Sequence, residues 1–293
     1  MGAPGSTHTA GLARELGSEQ MDEAAPVRVV VDDDGIAVVT LANPPLNLNT
    51  MATLHDLVEW CARIAADESI RVVVITGAGD RAFCAGSDLK EFAAVRDRVA
   101  ELKLALENRA FTAIEELPQP VIAALNGVTL GGGAEIALAC DIRILDAGAR
   151  FGFPEINLGV FPGSGGVFRL PRVVGPAHAY QLLYTGEAIG AEEALRIGLV
   201  NRIAPPGECL ATAMELARTL SRKPALALTL VRAAVRDSLR QSTSEATART
   251  LSDSDTVFTG PDIDEGLAAF FAKRPAQFTA PRGAPGRRGT DPK

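Results

Sequence analysis

Aromatic, sulfur and imidazole side chains are all scarce in this chain. Its 293 residues include one Trp, two Tyr, three His and four Cys. Cys61, Cys84, Cys140 and Cys209 stand far apart and form no CxxC pair. That spacing excludes a zinc ribbon or a dithiol redox motif and makes buried free thiols in a reducing compartment the expectation. His8, His55 and His178 are scattered with no partner motif, so neither a metal site nor a catalytic histidine is expected. No apolar run reaches the roughly 18–20 residues that a bilayer span needs. No apolar signal core appears near the N-terminus. The expectation is therefore a cytoplasmic protein with no membrane partner. Basic residues are in deficit, 29 Lys and Arg against 36 Asp and Glu for a formal charge of −7. That balance argues against nucleic acid or an anionic surface as main partner and leaves room for a local basic site.

What is present is a large apolar fraction, 47% of residues, enough for a substantial core. Residues 1–25 have no periodicity and read as a flexible leader. Val27 to Val31 and Gly35 to Leu41 flank Asp32-Asp33-Asp34-Gly35, a hairpin signal. Thr50 can cap a helix running to Ala65, with Leu54, Leu57, Val58 and Cys61 on one face. Further strands are expected over residues 71–76, 120–126, 141–145 and 199–203. Residues 98–117 read as one long amphipathic helix whose Leu102, Leu104, Leu106, Phe111 and Ile114 pack inward or wall an apolar pocket. Helices are expected over 165–172, 176–184, 191–197, 210–220, 226–239 and 262–272. The recurring strand–turn–helix unit predicts an α/β core over residues 26–205, a helical section over 206–279 and a disordered polar tail over 280–293.

Two turns share one design. Cys84-Ala85-Gly86-Ser87-Asp88 and Leu130-Gly131-Gly132-Gly133 each follow a strand and open a helix. A helix start has free N–H groups and the positive end of the dipole, and glycine admits a ligand close to the backbone. Two such turns aimed at one point would hold a developing oxyanion; glycine used only for tight packing is the alternative. Asp88 alone reads as a helix cap. Glu135 and Glu155 follow in apolar neighbourhoods, where a carboxyl rises in pKa and can both give and take a proton. The alternative has Glu135 as a first-turn dipole partner and Glu155 as an ion-pair acid with Arg169 or Arg172.

Taken together, Phe83-Cys84-Ala85-Gly86-Ser87-Asp88-Leu89-Lys90-Glu91, Pro120-Val121-Ile122-Ala123-Ala124-Leu125-Asn126-Gly127, Leu130-Gly131-Gly132-Gly133-Ala134-Glu135 and Phe151-Gly152-Phe153-Pro154-Glu155 resemble the enoyl-CoA hydratase/isomerase (crotonase) superfamily. The likeness runs over about residues 27–278. It implies a spiral of repeated ββα units with a C-terminal helical section that mediates trimerisation, and a homotrimer or a hexamer of two trimers. It implies a coenzyme A thioester as substrate and no permanently bound cofactor, coenzyme A being part of the substrate. By the same resemblance the backbone N–H groups of Ser87 and Gly132 form the oxyanion hole. Glu135 deprotonates the attacking water and Glu155 protonates Cα, giving syn hydration of a 2-enoyl thioester. Ser87, Asp88, Leu89 and Lys90, with Pro45, Leu46 and Gly132, line the coenzyme A path, and Lys90, Lys273 and Arg274 are candidates for its phosphates. Other reactions of the superfamily (isomerase, decarboxylase, thioester hydrolase) and a non-catalytic binding role are the alternatives. Ser87 stands where many hydratases carry Ala, Phe153 where Gln is frequent, and Val167-Phe168 where Thr-Gln is frequent. These departures point to an altered acyl preference.

Overall fold

A computed structural model describes residues 14–15 and 25–283 of the chain. Its strands are β1 (Arg14–Glu15), β2 (Val27–Val31), β3 (Ile36–Leu41), β4 (Val72–Gly77), β5 (Ala82–Cys84), β6 (Val121–Leu125), β7 (Val128–Leu130), β8 (Ile142–Asp146), β9 (Arg150–Gly152), β10 (Ile189–Gly190) and β11 (Arg202–Ala204). Its α-helices are α1 (Met51–Ala66), α2 (Leu89–Ala94), α3 (Ala105–Glu115), α4 (Gly132–Ala139), α5 (Gly166–Thr185), α6 (Ala191–Arg196), α7 (Cys209–Ser221), α8 (Ala225–Ser238), α9 (Thr243–Phe258) and α10 (Pro261–Ala272).

Two sheets stack the chain into a spiral. The larger runs β1-β2-β3-β4-β6-β8-β11 and the smaller β10-β9-β7-β5. From β3 onward the large sheet is parallel, as are β5, β7 and β9 in the small one. In the turns that begin at β4 and β6, one strand goes to the large sheet, the next to the small sheet, and a helix follows: β4-β5-α2, then β6-β7-α4. The third turn, β8-β9, ends in a short 3-10 turn, Pro154–Leu158. This is the repeated ββα spiral. Strands such as β4 and β6 are buried at every position, as parallel strands covered on both faces must be. One apolar cluster fills the space between the two sheets and α1, α3 and α4. A second lies under α7 on the outer face of the large sheet, with Ala204, Cys209, Ala213 and Ala217.

Local signals behave as the residue types dictate. The Thr50 hydroxyl accepts from the Thr53 N–H and caps α1, and the Asp88 carboxylate accepts from Lys90 N–H and caps α2. Gly175, at φ 74°, breaks α5 just before Pro176, so its two halves are the two helices expected there. Helix α9 was not expected, although Ser242 and Glu245 form a reciprocal capping box at its start, a recognisable S-x-x-E signal. The leader expected over residues 1–25 lies mostly outside the described residues; its Arg14–Glu15 pair forms an edge strand on β2. The tail boundary moves as well. Arg282 is buried and donates to the carbonyls of Ala65, Asp67 and Ile70, and residues 284–293 lie outside the description. Among the described residues no helix is long and apolar enough to cross a membrane, and all four cysteines are buried free thiols.

The expected long helix over 98–117 is three pieces: a 3-10 turn (Arg96–Arg98), a π-helical turn (Ala100–Leu104) and α3. Leu102 is 38% exposed and not packed inward, while Lys103 and Glu107 are buried at 0% and 2% exposure. Residues 103, 107, 110, 111 and 114 face inward. Their spacing of four, three, one and three is an ordinary buried helical face, with two charges at its head.

Candidate active site

Both glycine turns lie where a small-sheet strand hands over to a helix. Strand β5 ends at Cys84, and the chain passes through Gly86 at φ 113° to Ser87 and α2. Strand β7 ends at Leu130, and Gly131 at φ 52° leads to Gly132, the first residue of α4. Glycine at both positions is what lets the backbone make these turns, since neither φ suits an L side chain. Close approach also matters: a β-carbon on Gly133 would collide with the Cys84 carbonyl.

A strap over residues 46–49 sets the direction of the first turn. Ala85 N–H donates to Leu46 O, Asn49 N–H to Gly86 O and Asp88 N–H to Asn49 O. In this parallel bridge between Asn49 and Ser87 the strap bonds the residues on either side of Ser87. The Ser87 N–H therefore points away from the strap. Its nitrogen lies beside the second turn, 3.6 Å from where a β-carbon on Gly132 would sit. Gly132 N–H, in the first turn of α4, has no partner within its own helix.

Glu135 and Glu155 come to the same place from different elements. Glu135, in the first turn of α4, is 2% exposed. Its Oε1 accepts from Ser164 N–H (2.9 Å) and Gly166 N–H (2.8 Å). Glu155 sits on the 3-10 turn with its Oε1 3.1 Å from the β-position of Gly131. Its Oε2 is buried and unpartnered. Burial pushes the Glu135 carboxyl up to about 8, with Glu155 and Glu107 adding to the rise against the two N–H donors. Burial likewise lifts Glu155 to about 7, with Glu107 adding to it. Both carboxyls are thus raised toward neutrality, where a coupled pair titrates as a unit.

The alternatives weighed from residue type resolve separately. Arg169 pairs with Glu115 at 2.6 Å, so Glu155 is not its ion-pair acid. Phe153 is fully buried edge-to-face on Phe151 (5.8 Å). Its ring is 3.3 Å from the β-position of Gly166, so it supports the site from behind. Val167 and Phe168 are about two-fifths exposed, and the Phe168 ring lies under the Arg169 and Arg172 guanidinium groups. Exposed Pro45 and Leu46 flank the Ser87 turn through the strap. Leu89 and Lys90 are exposed at the start of α2. Lys273 caps α10 in the left-handed region. Arg274 beside it pairs with Glu265 at 2.7 and 2.8 Å.

Three participants escaped the sequence reading: Glu107, Lys103 and Ser164. Glu107 Oε1 accepts from the Ser87 hydroxyl and its Oε2 from the Ser164 hydroxyl, each at 2.5 Å. Lys103 Nζ donates to Asn49 O (2.8 Å) and to Glu91 (2.6 Å), and lies 3.9 Å from Glu107. Their shared spacing with Phe111 and Ile114 was the available signal. Among the described residues, no group of His, Cys, Asp and Glu side chains is arranged to hold a metal ion.

The raised Glu135 carboxyl has a stability consequence with a definite sign. An unfolded glutamate ionises near 4.5, whereas the folded one keeps its proton to about 8. Folding therefore takes up a proton between those values, and stability falls as pH rises through the window. Glu135→Gln keeps an oxygen for the Ser164 and Gly166 donors and never ionises. Its melting temperature should match wild type near pH 4.5 and exceed it by several degrees at pH 8.5, an advantage on the order of a few kcal/mol. Equal melting temperatures across that range would show that the carboxyl is not desolvated.

The enoyl-CoA hydratase/isomerase family profile matches residues 32–281. The chain is 38% identical over 252 residues to the crotonyl-CoA hydratase of Syntrophomonas wolfei, covering 85% of this chain and 97% of that one. It is 39% identical over 248 residues to the short-chain-enoyl-CoA hydratase of Clostridium acetobutylicum, covering 84% and 95%. The crystal structure of the enoyl-CoA hydratase from Bacillus anthracis superposes with a TM-score of 0.83 at 34% identity, over 86% of this chain and 98% of that one.

Proposed function

The chain belongs to the enoyl-CoA hydratase/isomerase family, and from that premise we propose that it hydrates the double bond of a 2-enoyl-CoA thioester with Glu135 and Glu155 as the acid–base pair. The observation that carries the roles is the pair itself: two carboxyls from different elements, both raised toward neutrality, beside two glycine turns that lie against each other. Hydration needs one carboxylate to take a proton and one carboxylic acid to give one.

The thioester oxygen accepts hydrogen bonds from the Ser87 and Gly132 N–H groups. Electron density drawn toward it leaves Cβ electrophilic. Glu135 takes a proton from water as the water oxygen bonds to Cβ. The π electrons move to Cα, which takes the proton from Glu155. The carbon–carbon π bond is replaced by one C–O and one C–H bond, added from the same face, and the pair again holds one proton. After each turnover the proton taken by Glu135 has to return to Glu155. A water hydrogen-bonded to both carboxyls passes it to Glu155 without loss to solvent. Charge builds on the thioester oxygen as Cβ is attacked, where both N–H groups are already oriented.

Coenzyme A is then part of the substrate, with no further cofactor, and runs past Pro45, Leu46, Asp88, Leu89 and Lys90. Exposed Lys273 and Arg274 are the phosphate candidates near α10. The names of the S. wolfei and C. acetobutylicum relatives favour a short acyl chain. A homotrimer or hexamer is supported by the apolar faces left exposed on the C-terminal helices, Val235, Leu251, Phe258, Phe270 and Phe271 among them. Four free buried thiols support a cytoplasmic setting.

Purified protein given crotonyl-CoA should lose the conjugated enoyl absorbance and yield a product heavier by one water. Longer enoyl thioesters should react more slowly. Sedimentation of the same sample should give a trimer or a hexamer. A product of unchanged mass would replace hydration by isomerisation, and a folded protein inert on every chain length would end the reading.

A further inference from the structure

Glu107 is nearly inaccessible, and it joins two segments 77 residues apart in sequence by its two oxygens. One oxygen holds the Ser87 hydroxyl on the first glycine turn, the other the Ser164 hydroxyl on the loop whose N–H groups hold Glu135. Ser87 and Ser164 lie on the loops after β5 and before α5, and no backbone hydrogen bond between the two loops is recorded among the described residues. Lys103, the buried residue of the π-helical turn, supplies the opposite charge at 3.9 Å and is itself fixed by Glu91 and Asn49 O. A buried carboxylate bound by two hydroxyls and a nearby ammonium is a built feature, since ionising it there without partners would be costly.

We infer that Glu107 is a positioning residue for the hydration reaction: its carboxylate ties the turn that carries one oxyanion donor to the loop that orients Glu135. The inference rests on the hydratase reading for its catalytic meaning. The tie acts through geometry, and small displacements at such a site are costly to rate. It also acts through charge. The groups facing Glu107 are Lys103 from the π turn, Glu91 from α2, Cys84 from β5, Glu135 from α4 and Glu155 from the 3-10 turn. Burial raises the Glu107 carboxyl, and the two serine hydroxyls and Lys103 oppose that rise. Once ionised, Glu107 repels negative charge on Glu135 and Glu155.

The test compares Glu107→Gln with Glu107→Asp, read as kcat, KM and the pH profile of kcat/KM on crotonyl-CoA. Glu107→Gln has one acceptor oxygen where two hydroxyls donate and carries no charge. It should lower kcat by roughly ten- to a hundredfold with KM changed less than about threefold, and move both limbs of the profile to lower pH. Glu107→Asp keeps the charge and is too short to span both serines, so kcat falls while the limbs stay. Unmoved limbs and wild-type kcat in Glu107→Gln would overturn the inference. If Glu107→Gln does not fold, the cycle of Ser87→Ala and Ser164→Ala decides. A shared tie makes their losses non-additive, whereas additive losses refute it. Should wild type hydrate nothing, the hydratase reading fails, and the charge effect is still read from melting temperature against pH. Glu107→Gln should then weaken the alkaline loss of stability, and an unchanged slope would overturn the tie independently.

Discussion

Glu135→Gln and Glu155→Gln are each expected to lower kcat by about 10²–10⁴-fold, with KM within a few-fold of wild type. The amide is the same size as the carboxyl. At 135 it still offers an oxygen to the Ser164 and Gly166 N–H groups, which sit 2.9 and 2.8 Å away. The loop therefore stays in place and only the proton chemistry is lost. At 155 Oε2 is unpartnered, and the carboxyl's bond from its own backbone N–H is one the amide oxygen can still accept. Wild type should show a bell-shaped kcat/KM with its maximum between about 7 and about 8, the values of the two carboxyls. The acid limb appears as the base is protonated and the alkaline limb as the acid loses its proton. Each Gln variant should retain at most one limb. Because the pair works as a unit, the double variant should be little worse than the worse single one. Either single variant keeping more than about a tenth of wild-type kcat would remove that residue from the acid–base roles.

The parts of this site that were readable had chemical signatures local in sequence. Glycine at 86 and 131 marks backbone that L residues resist, and Thr50 and Asp88 mark helix starts through their short oxygen side chains. The β-branched runs Val72-Val73-Val74-Ile75 and Val121-Ile122 marked strands buried on both faces. The small sheet was not readable, because β5, β7 and β9 have three residues each, too few for a period to show. Its absence from the reading hid the reason the two glycine turns are neighbours: β5 and β7 are paired strands, so their ends meet. Lys103 and Glu107 were missed for another reason. Charge in a helix is assigned to solvent by default, and Leu102 was assigned inward because it is apolar. Helical spacing counted back from Phe111 and Ile114 puts 107 and 103 on the buried face and 102 off it. Arg274 looked free because its partner, Glu265, lies nine residues earlier across the end of α10.

Gly132→Ala should cost roughly 10²–10³-fold in kcat while leaving a folded protein. Gly132 begins α4 in a conformation open to alanine, and in isolation the helix would gain from the change. The penalty comes from what the β-carbon meets: Ser87 Oγ at 2.8 Å, Asn49 Nδ2 at 2.9 Å and Ser87 N at 3.6 Å. Ser87 cannot simply rotate away, because Glu107 holds its hydroxyl at 2.5 Å. Asn49 cannot retreat easily, because its backbone is bonded to Gly86 and Asp88. The strain therefore moves the Ser87 turn as a body and parts the two N–H groups that share the thioester oxygen. Losing one such donor carries a cost of about this size. Ser87→Ala removes the nearest obstacle, so Gly132→Ala with Ser87→Ala should recover part of the lost rate, even though Ser87→Ala alone slows the enzyme. Gly133→Ala makes the control. Its β-carbon meets the Cys84 carbonyl, which is backbone and cannot give, so it should lower melting temperature sharply. A Gly132→Ala enzyme with normal kcat, or one equally slow with and without the Ser87 hydroxyl, would mean the two turns do not act on a single oxygen.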